Sequence, residues 1–353
     1  MLFGGESAEH DVSCTTAAHV LKAADPERYR ITPVGISTDG QWAIADAAAA
    51  AVAAGPDAIP GRLDPSGSST SPTPMLAAAT AAAERTVVLP LLHGPMGEDG
   101  TVQGLLELAD VAYVGAGVLA SAVAMDKAMA KEVLAAAGIP QARHVALAEH
   151  EMTPGTPADA AAELGLPVFV KPANMGSSVG VSKAQTIEEL RDAIAFALTY
   201  DETIVVEEAV VGREIEVAVL GNRHPEASLA GEIVPGEEFY SYDDKYVTDG
   251  AQLLVPAPLG VDDMTEVRDL ATRTFRALRC EGLARVDFFL ERDESGIGRG
   301  FLCNEVNTMP GFTPISMYPK LWIQSGMTYS ELIDRLVELA IERHARRRRN
   351  TKH

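Results

Sequence analysis

Two apolar runs in the last third of the chain constrain its fold more than any other feature: ARVDFFL, residues 284–290, and FLCNEVN, residues 301–307. Both read as buried strands, yet both carry charged or amide side chains. Alternate side chains along a strand share a face. Arg285 and Asp287, with Phe289, therefore project to one side of the first run, and Glu305 and Asn307 to one side of the second. If the intervening ERDESGIGRG is a hairpin loop, the strands pair antiparallel and Asp287, Glu305 and Asn307 converge. Burying several acids without a cation is costly. Two carboxylates and an amide oxygen are hard ligands that suit Mg²⁺ sharing phosphate oxygens. The alternative is a buried acid pair held by Arg285.

Other segments point to the same chemistry. In FVKPANMGSSVGVSK, Lys171 ends a strand, and Gly176 and Gly180 bracket Ser177 and Ser178. Small residues let backbone N–H groups wrap phosphate oxygens while a lysine neutralises them. This is not a Walker A loop, since GxxxxGK[ST] is absent; the alternative is an ordinary glycine-rich hairpin turn. The run FYSYDDKYVTDGAQ reads as a loop between strands, either a lid over a site or an exposed loop. GGESAEH and LLHGPMGEDGTVQG each follow a strand near the N-terminus, where loops at the carboxyl ends of parallel strands build crevices. His93, at the end of a buried strand, is a site residue or a satisfied structural histidine. Neither segment carries GxGxxG, which argues against a dinucleotide-binding oxidoreductase.

The first ~115 residues alternate strand and helix signals, which indicates a parallel α/β sheet. MLFGG reads as the last half of a strand clipped at its start, with a short strand as the alternative. A helix follows, with Ser7 as its cap. Residues 55–74 are rich in Gly, Pro and Ser and read as a surface loop, and RTVVLPLLHG reads as one buried strand. One long helix is expected before Gly138 and Pro140, and another capped by Thr186 with Glu189 at the capping-box position. The chain ends in an amphipathic helix and a basic tail that reads as a solvated end.

With 353 residues, 47% of them hydrophobic, the chain can bury a large core in more than one domain. Its net charge of −21 opposes nonspecific binding to nucleic acid or anionic membrane. Three scattered cysteines argue for a reducing compartment. No run reaches the ~18 apolar residues of a membrane span, and the N-terminus does not read as a signal peptide. The expected location is the cytoplasm.

Taken in order, GGESAEHDVS, LHGPMGEDGTVQG, MDK, FVKPANMGSSVGVSK, VVEEAVVGREIEVAVL, FYSYDDKY, ARVDFFL and NEVNTMPGFTPIS span residues 4 to about 317. This ordered set resembles the D-alanine–D-alanine ligases of the ATP-grasp superfamily. The resemblance implies an α/β (α+β) fold. An N-terminal Rossmann-like parallel α/β substrate domain would cover residues 1–117. A two-part ATP-grasp fold would follow, with a central part over 118–210 and a C-terminal part over 211–353. The C-terminal part would hold the lid loop, the Mg²⁺ site and a basic tail over 344–353. The implied reaction uses ATP to phosphorylate one D-alanine carboxylate, and the amine of a second D-alanine attacks the acyl phosphate.

The resemblance also implies residue roles. Glu9 matches the acid that holds the first D-alanine's ammonium, with Ser177 and Tyr246 hydrogen-bonded to it. Val12 and His93 match first-site contacts, and Ser316 matches a contact to the second carboxylate. Arg285 and the Gly311 backbone match the oxyanion holders. Lys127, Lys171 and Lys245 match phosphate contacts. Glu207, Ala209, Val210, Glu214 and Phe239 match contacts to the rest of the nucleotide. Asp287, Glu305 and Asn307 match the ligands of two Mg²⁺ ions, replaceable by Mn²⁺, with Glu305 bridging. Tyr246 in the lid implies an amine acceptor rather than D-lactate. The implied assembly is a homodimer with small-molecule substrates only. Rivals are another ATP-grasp carboxylate–amine ligase and a degenerate nucleotide-binding regulator; both Asp287 and Glu305 are present, which argues against the latter.

Overall fold

The computed structural model describes residues 1–82, 84–235, 252–292 and 296–347. Three main sheets carry the chain. The first has five strands in the order Ser68–Ser69, Trp42–Ile44, Val34–Ile36, Leu2–Gly4, Pro90–Leu91. Leu2–Gly4 is only three residues long, but it sits between two parallel neighbours and is fully buried. The remaining pairs of this sheet are antiparallel, so it is mixed rather than purely parallel. Ser68–Ser69 belongs to the stretch expected to be loop, and Ile59 and Leu63 of that stretch are buried in the core. The single strand expected over 85–94 is two. Val87–Val88 pairs with Ala112–Tyr113, while Pro90–Leu91 pairs with Leu2–Gly4. Pro90 lacks the N–H a continuous ladder needs.

The second sheet is antiparallel, in the order Ser182–Ala184, Val168–Pro172, Thr203–Glu208, His144–Ala148. The helix Ile187–Ala197 covers it, and Thr186 caps that helix by accepting from the Glu189 N–H at 3.1 Å. The third sheet is also antiparallel: Gln252–Leu254, Glu226–Val234, Arg213–Gly221, Gly282–Glu291, Gly300–Asn307.

Two helix expectations need correction. Ser7 does not cap the first helix, His10–Ala23; Glu9 stands at its N-cap, and the Ser7 hydroxyl instead accepts from the Glu9 N–H one turn earlier. The long helix before Gly138 is two, Val118–Met125 and Lys127–Ala136. Asp126 breaks it in extended backbone and caps the second piece through the Met129 N–H, since a short acceptor side chain competes with helical continuation.

The first and third sheets are joined by one apolar core. Phe3 and Leu21 pack in the same cluster as Leu283, Met309, Leu332 and Leu336. The last helix, Tyr329–Arg347, clamps this junction. Its Arg343 is buried and donates to the Gly115 carbonyl at 2.6 Å and the Tyr113 carbonyl at 3.0 Å, with its guanidinium 3.9 Å above the Tyr113 ring. Burial pulls the Arg343 pKa down. His344 meets Asp110, Arg346 meets Glu281, and Arg347 meets Glu107 and Glu281. The described part of the basic tail is therefore an ion-paired helix end, not a solvated one. No helix among the described residues is long and apolar enough to cross a membrane.

Truncating Arg343 leaves two buried carbonyls without a partner, at about 1–3 kcal/mol each. Arg343→Met is expected to lose about 2–4 kcal/mol against urea, and an unchanged midpoint would show that the last helix does not clamp the junction.

Candidate functional site

The site grows from the register of the third sheet. Arg285 lies opposite Asn307 and Asp287 opposite Glu305, and then the register shifts so that Phe288 lies opposite Cys303. Asn304 is the extra residue of this bulge, and a bulge re-aims side chains. Both Asn304 and Glu305 line a cavity of about 140 Å³ between the second and third sheets. Lys127, Lys171, Gly176, Ser177, Glu214, Glu216, Arg285 and Asp287 line it as well.

Arg285 answers the acids. Its Nε and Nη2 donate to the two oxygens of Asp287 at 2.8 and 2.7 Å, and Nε lies 3.1 Å from Glu216 Oε2. Asn307 Nδ2 donates to Asp287 Oδ2 at 3.0 Å. Burial would lower the Arg285 pKa, but Asp287 and Glu216 outweigh it and hold the guanidinium well above its usual range. Three carboxylates, Glu216, Asp287 and Glu305, thus surround one guanidinium. Among the described residues no three His, Cys, Asp or Glu side chains gather as a metal cluster. The hard-oxygen set of Asp287, Glu305 and Asn307 holds only two carboxylates, and it fits a hard divalent cation that shares oxygens with a phosphate and keeps waters.

A second charge cluster flanks the first. Lys171 Nζ lies 3.2 Å from Glu207 Oε2 and 3.3 Å from Asn304 Oδ1, and the other Glu207 oxygen lies 3.3 Å from Lys131 Nζ. Burial favours the neutral acid, yet the two lysines prevail and hold Glu207 at about 2. Lys127 Nζ donates to the Met175 carbonyl, and burial lowers its pKa against the pull of Glu305. The Ala209 N–H donates to the Pro167 carbonyl at 3.1 Å, and Val210 follows it just past the strand Thr203–Glu208. Glu207, which the resemblance matches to a nucleotide contact, lies between the two lysines.

The Gly-Ser loop brings the first unit to the cavity. Ser177 and Ser178 adopt left-handed backbone, with φ of +52° and +59°, a conformation most side chains avoid. A Cβ on neighbouring Gly176 would lie 3.6 Å from Glu9 Oε2, so the Glu9 carboxylate lies beside this loop. His93 Nδ1 bonds the Met309 carbonyl at 2.9 Å, which makes Nδ1 the protonated nitrogen; Nε2 is buried without a hydrogen-bond partner among the described residues. Glu98 accepts from the Gly94 N–H at 2.7 Å, and burial and then the Glu9 charge push its pKa to about 8. On the far side, a Cβ on Gly311 would lie 3.2 Å from Ser316 Oγ, which itself accepts from the Thr313 N–H.

The structure therefore gathers Glu9, Lys127, Lys171, Ser177, Glu214, Arg285, Asp287, Glu305 and Asn307 around one region, with His93 tied to it through Met309 and Gly311 beside Ser316. Val12 is half-buried in the first turn of its helix. Phe239, Lys245, Tyr246 and the lid expectation lie outside the described residues. Sequence reading missed Asn304, Lys131, Glu98 and Glu216. Only Lys131 left a signal, four residues after Lys127 on one helix face.

Glu98 carries a pH dependence. Below about 4.5 the carboxyl is protonated folded or unfolded. As pH rises to about 8 the unfolded chain ionises while the folded protein keeps its proton, so stability is lost across that window. Urea unfolding should show the wild type weakening relative to Glu98→Gln between pH 5 and 8; parallel curves would contradict the assignment.

Comparison with known proteins adds a family. The model for the D-ala D-ala ligase N-terminus matches residues 1–116, and that for the D-ala D-ala ligase C-terminus matches residues 133–338. A D-alanine–D-alanine ligase of Geobacillus thermodenitrificans is 46% identical over 358 residues, covering 98% of this chain and 95% of that one. One of Bacillus pumilus is 47% identical, covering 98% and 96%. Among solved structures, the D-alanine–D-alanine ligase of Coxiella burnetii has a TM-score of 0.80 at 34% identity, covering 98% and 94%. The VanG D-Ala:D-Ser ligase of Enterococcus faecalis has a TM-score of 0.79 at 31% identity, covering 96% and 98%.

Proposed function

The chain belongs to the D-alanine–D-alanine ligase family, and from that premise we propose how its residues join two D-alanine molecules at the expense of ATP. The reaction gives D-alanyl-D-alanine, ADP and phosphate for peptidoglycan precursors, and it uses Mg²⁺, the family's usual metal. The observation that carries the reading is the cavity where Lys127 and Lys171 meet Asp287 and Glu305, with Glu9 at its edge.

Phosphoryl transfer asks a protein for charge neutralisation and in-line positioning more than for covalent help. Lys127, Lys171 and the Gly176–Gly180 backbone hold the phosphates, and Lys245 reaches the γ-phosphate. Asp287, Glu305 and Asn307 would hold the metal, two Mg²⁺ or Mn²⁺ ions, which would neutralise phosphate charge when bound. Glu214, Val210, the Ala209 carbonyl and Phe239 line the nucleotide, while Glu207 acts through its lysines.

Glu9 holds the ammonium of the first D-alanine, with Val12 and His93 beside it, and Ser177 and Tyr246 link Glu9 to the lid. The first carboxylate oxygen attacks the γ-phosphorus and ADP leaves. The free amine of the second D-alanine, its carboxylate held by Ser316, then attacks the acyl carbon. The oxyanion that develops is met by the Gly311 N–H and by Arg285, whose bonds to Asp287 and Glu216 use Nε and Nη2 and, among the described residues, leave Nη1. The C–O bond to phosphate breaks as the oxyanion collapses, and the amine loses a proton. We place this reaction in the cytoplasm, in a homodimer with part boundaries near 117 and 210.

Phosphate release from ATP and Mg²⁺ should be stimulated by D-alanine and not by L-alanine, and D-serine and D-lactate should be poorer acceptors. Failure of D-alanine to stimulate it overturns the reading. Glu305→Gln should lower kcat by about 100-fold or more while the fold is kept, because one hydrogen-bonded oxygen replaces a charged one where phosphate charge develops. Near-normal turnover would remove Glu305 from the ligand set.

A further inference from the structure

We propose that Lys131 is a positioning residue that frees Lys171 for the ATP phosphates by holding the charge of Glu207; this rests on the cavity being the ATP site. Lys131 is 2% exposed and is absent from the cavity wall, so it does not touch a ligand there. It sits one helical turn after Lys127 in the helix Lys127–Ala136. Residues four apart share a helix face, so the two lysines extend toward the same region from different depths. The order from the cavity inward is Lys171, then Glu207, then Lys131, with contacts of 3.2 Å and 3.3 Å to opposite oxygens of the one carboxylate.

The charges explain the arrangement. A buried lysine next to one buried carboxylate forms a neutral pair, and a neutral pair is a poor receptor for a triphosphate. Glu207 with Lys171 alone would be such a pair. The second lysine leaves the group with net positive charge, and Lys171 is the member that faces the cavity. Both lysines act on Glu207, by charge and by hydrogen bonding, and together they hold it ionised against burial. Lys171 is also anchored from the other side by Asn304, at 3.3 Å. Without Lys131, Glu207 would direct its whole charge at Lys171 and compete with phosphate oxygens for it.

The test is a two-by-two set: wild type, Lys131→Met, Glu207→Gln and the double variant. The readouts are KM for ATP, KM for D-alanine, and equilibrium titration with a non-hydrolysable ATP analogue. Lys131→Met should raise KM for ATP and the analogue's dissociation constant about tenfold, with KM for D-alanine within twofold. In the Glu207→Gln background the same substitution should change analogue affinity less than twofold, because no carboxylate remains to be held. An equal tenfold loss in both backgrounds, or none in the wild-type background, overturns the inference. If Lys131→Met does not fold, the comparison within the Glu207→Gln background decides alone: affinity unchanged within twofold supports the inference, and a tenfold loss overturns it. Wild-type protein that does not turn over D-alanine would instead overturn the function on which the inference rests.

Discussion

Asp287 and Glu305 face each other across two antiparallel strands, and two acids at one register position are unstable inside a protein unless cations answer them. The rest of the site follows from that requirement. Arg285 lies two residues from Asp287 on the same strand face and binds it with two hydrogen bonds. Glu216 enters from the neighbouring strand opposite Asp287 and adds a third acid. The lysines Lys127 and Lys171 arrive from outside the third sheet and line the same cavity. The site is thus a charge arrangement whose acids and cations come from both sides of a junction between sheets.

Holding that junction fixed is the work of the apolar core and the last helix. Gly282, at φ +77°, lets its backbone approach Gly115 so closely that a Cβ would lie 3.1 Å away. Gly115 is in turn held by Arg343. Met309 packs in the same core and offers its carbonyl to His93. The first unit therefore presents Glu9, His93 and Glu98 to the third sheet through a few buried, directional contacts.

Much of this was legible from residue order. The period-two pattern of 284–290 and 301–307 gave the convergence of Asp287, Glu305 and Asn307, and the observed register agrees with it. Thr186 was legible as a cap because the capping chemistry is local. Asn304 was not legible, because a bulge is set by the partner strand rather than by the bulged one. The split at Asp126 was hidden in an alanine-rich run whose propensity favours one continuous helix. Glu98 and Lys131 gain their character from burial against distant residues, which spacing does not encode. The tail's arginines read as solvated because their acid partners, Glu107 and Glu281, lie far away in sequence.

The reaction proposed for this cavity transfers a phosphoryl group to a carboxylate before the peptide bond forms. The most direct measurement follows oxygen. D-Alanine labelled with oxygen-18 in its carboxylate is incubated with ATP, Mg²⁺ and the protein, and the released phosphate is analysed by mass. Attack by the carboxylate on the γ-phosphorus, followed by cleavage of the acyl C–O bond, puts one labelled oxygen into each phosphate and leaves one in the new peptide carbonyl. Phosphate that carries no label while dipeptide accumulates would contradict the account.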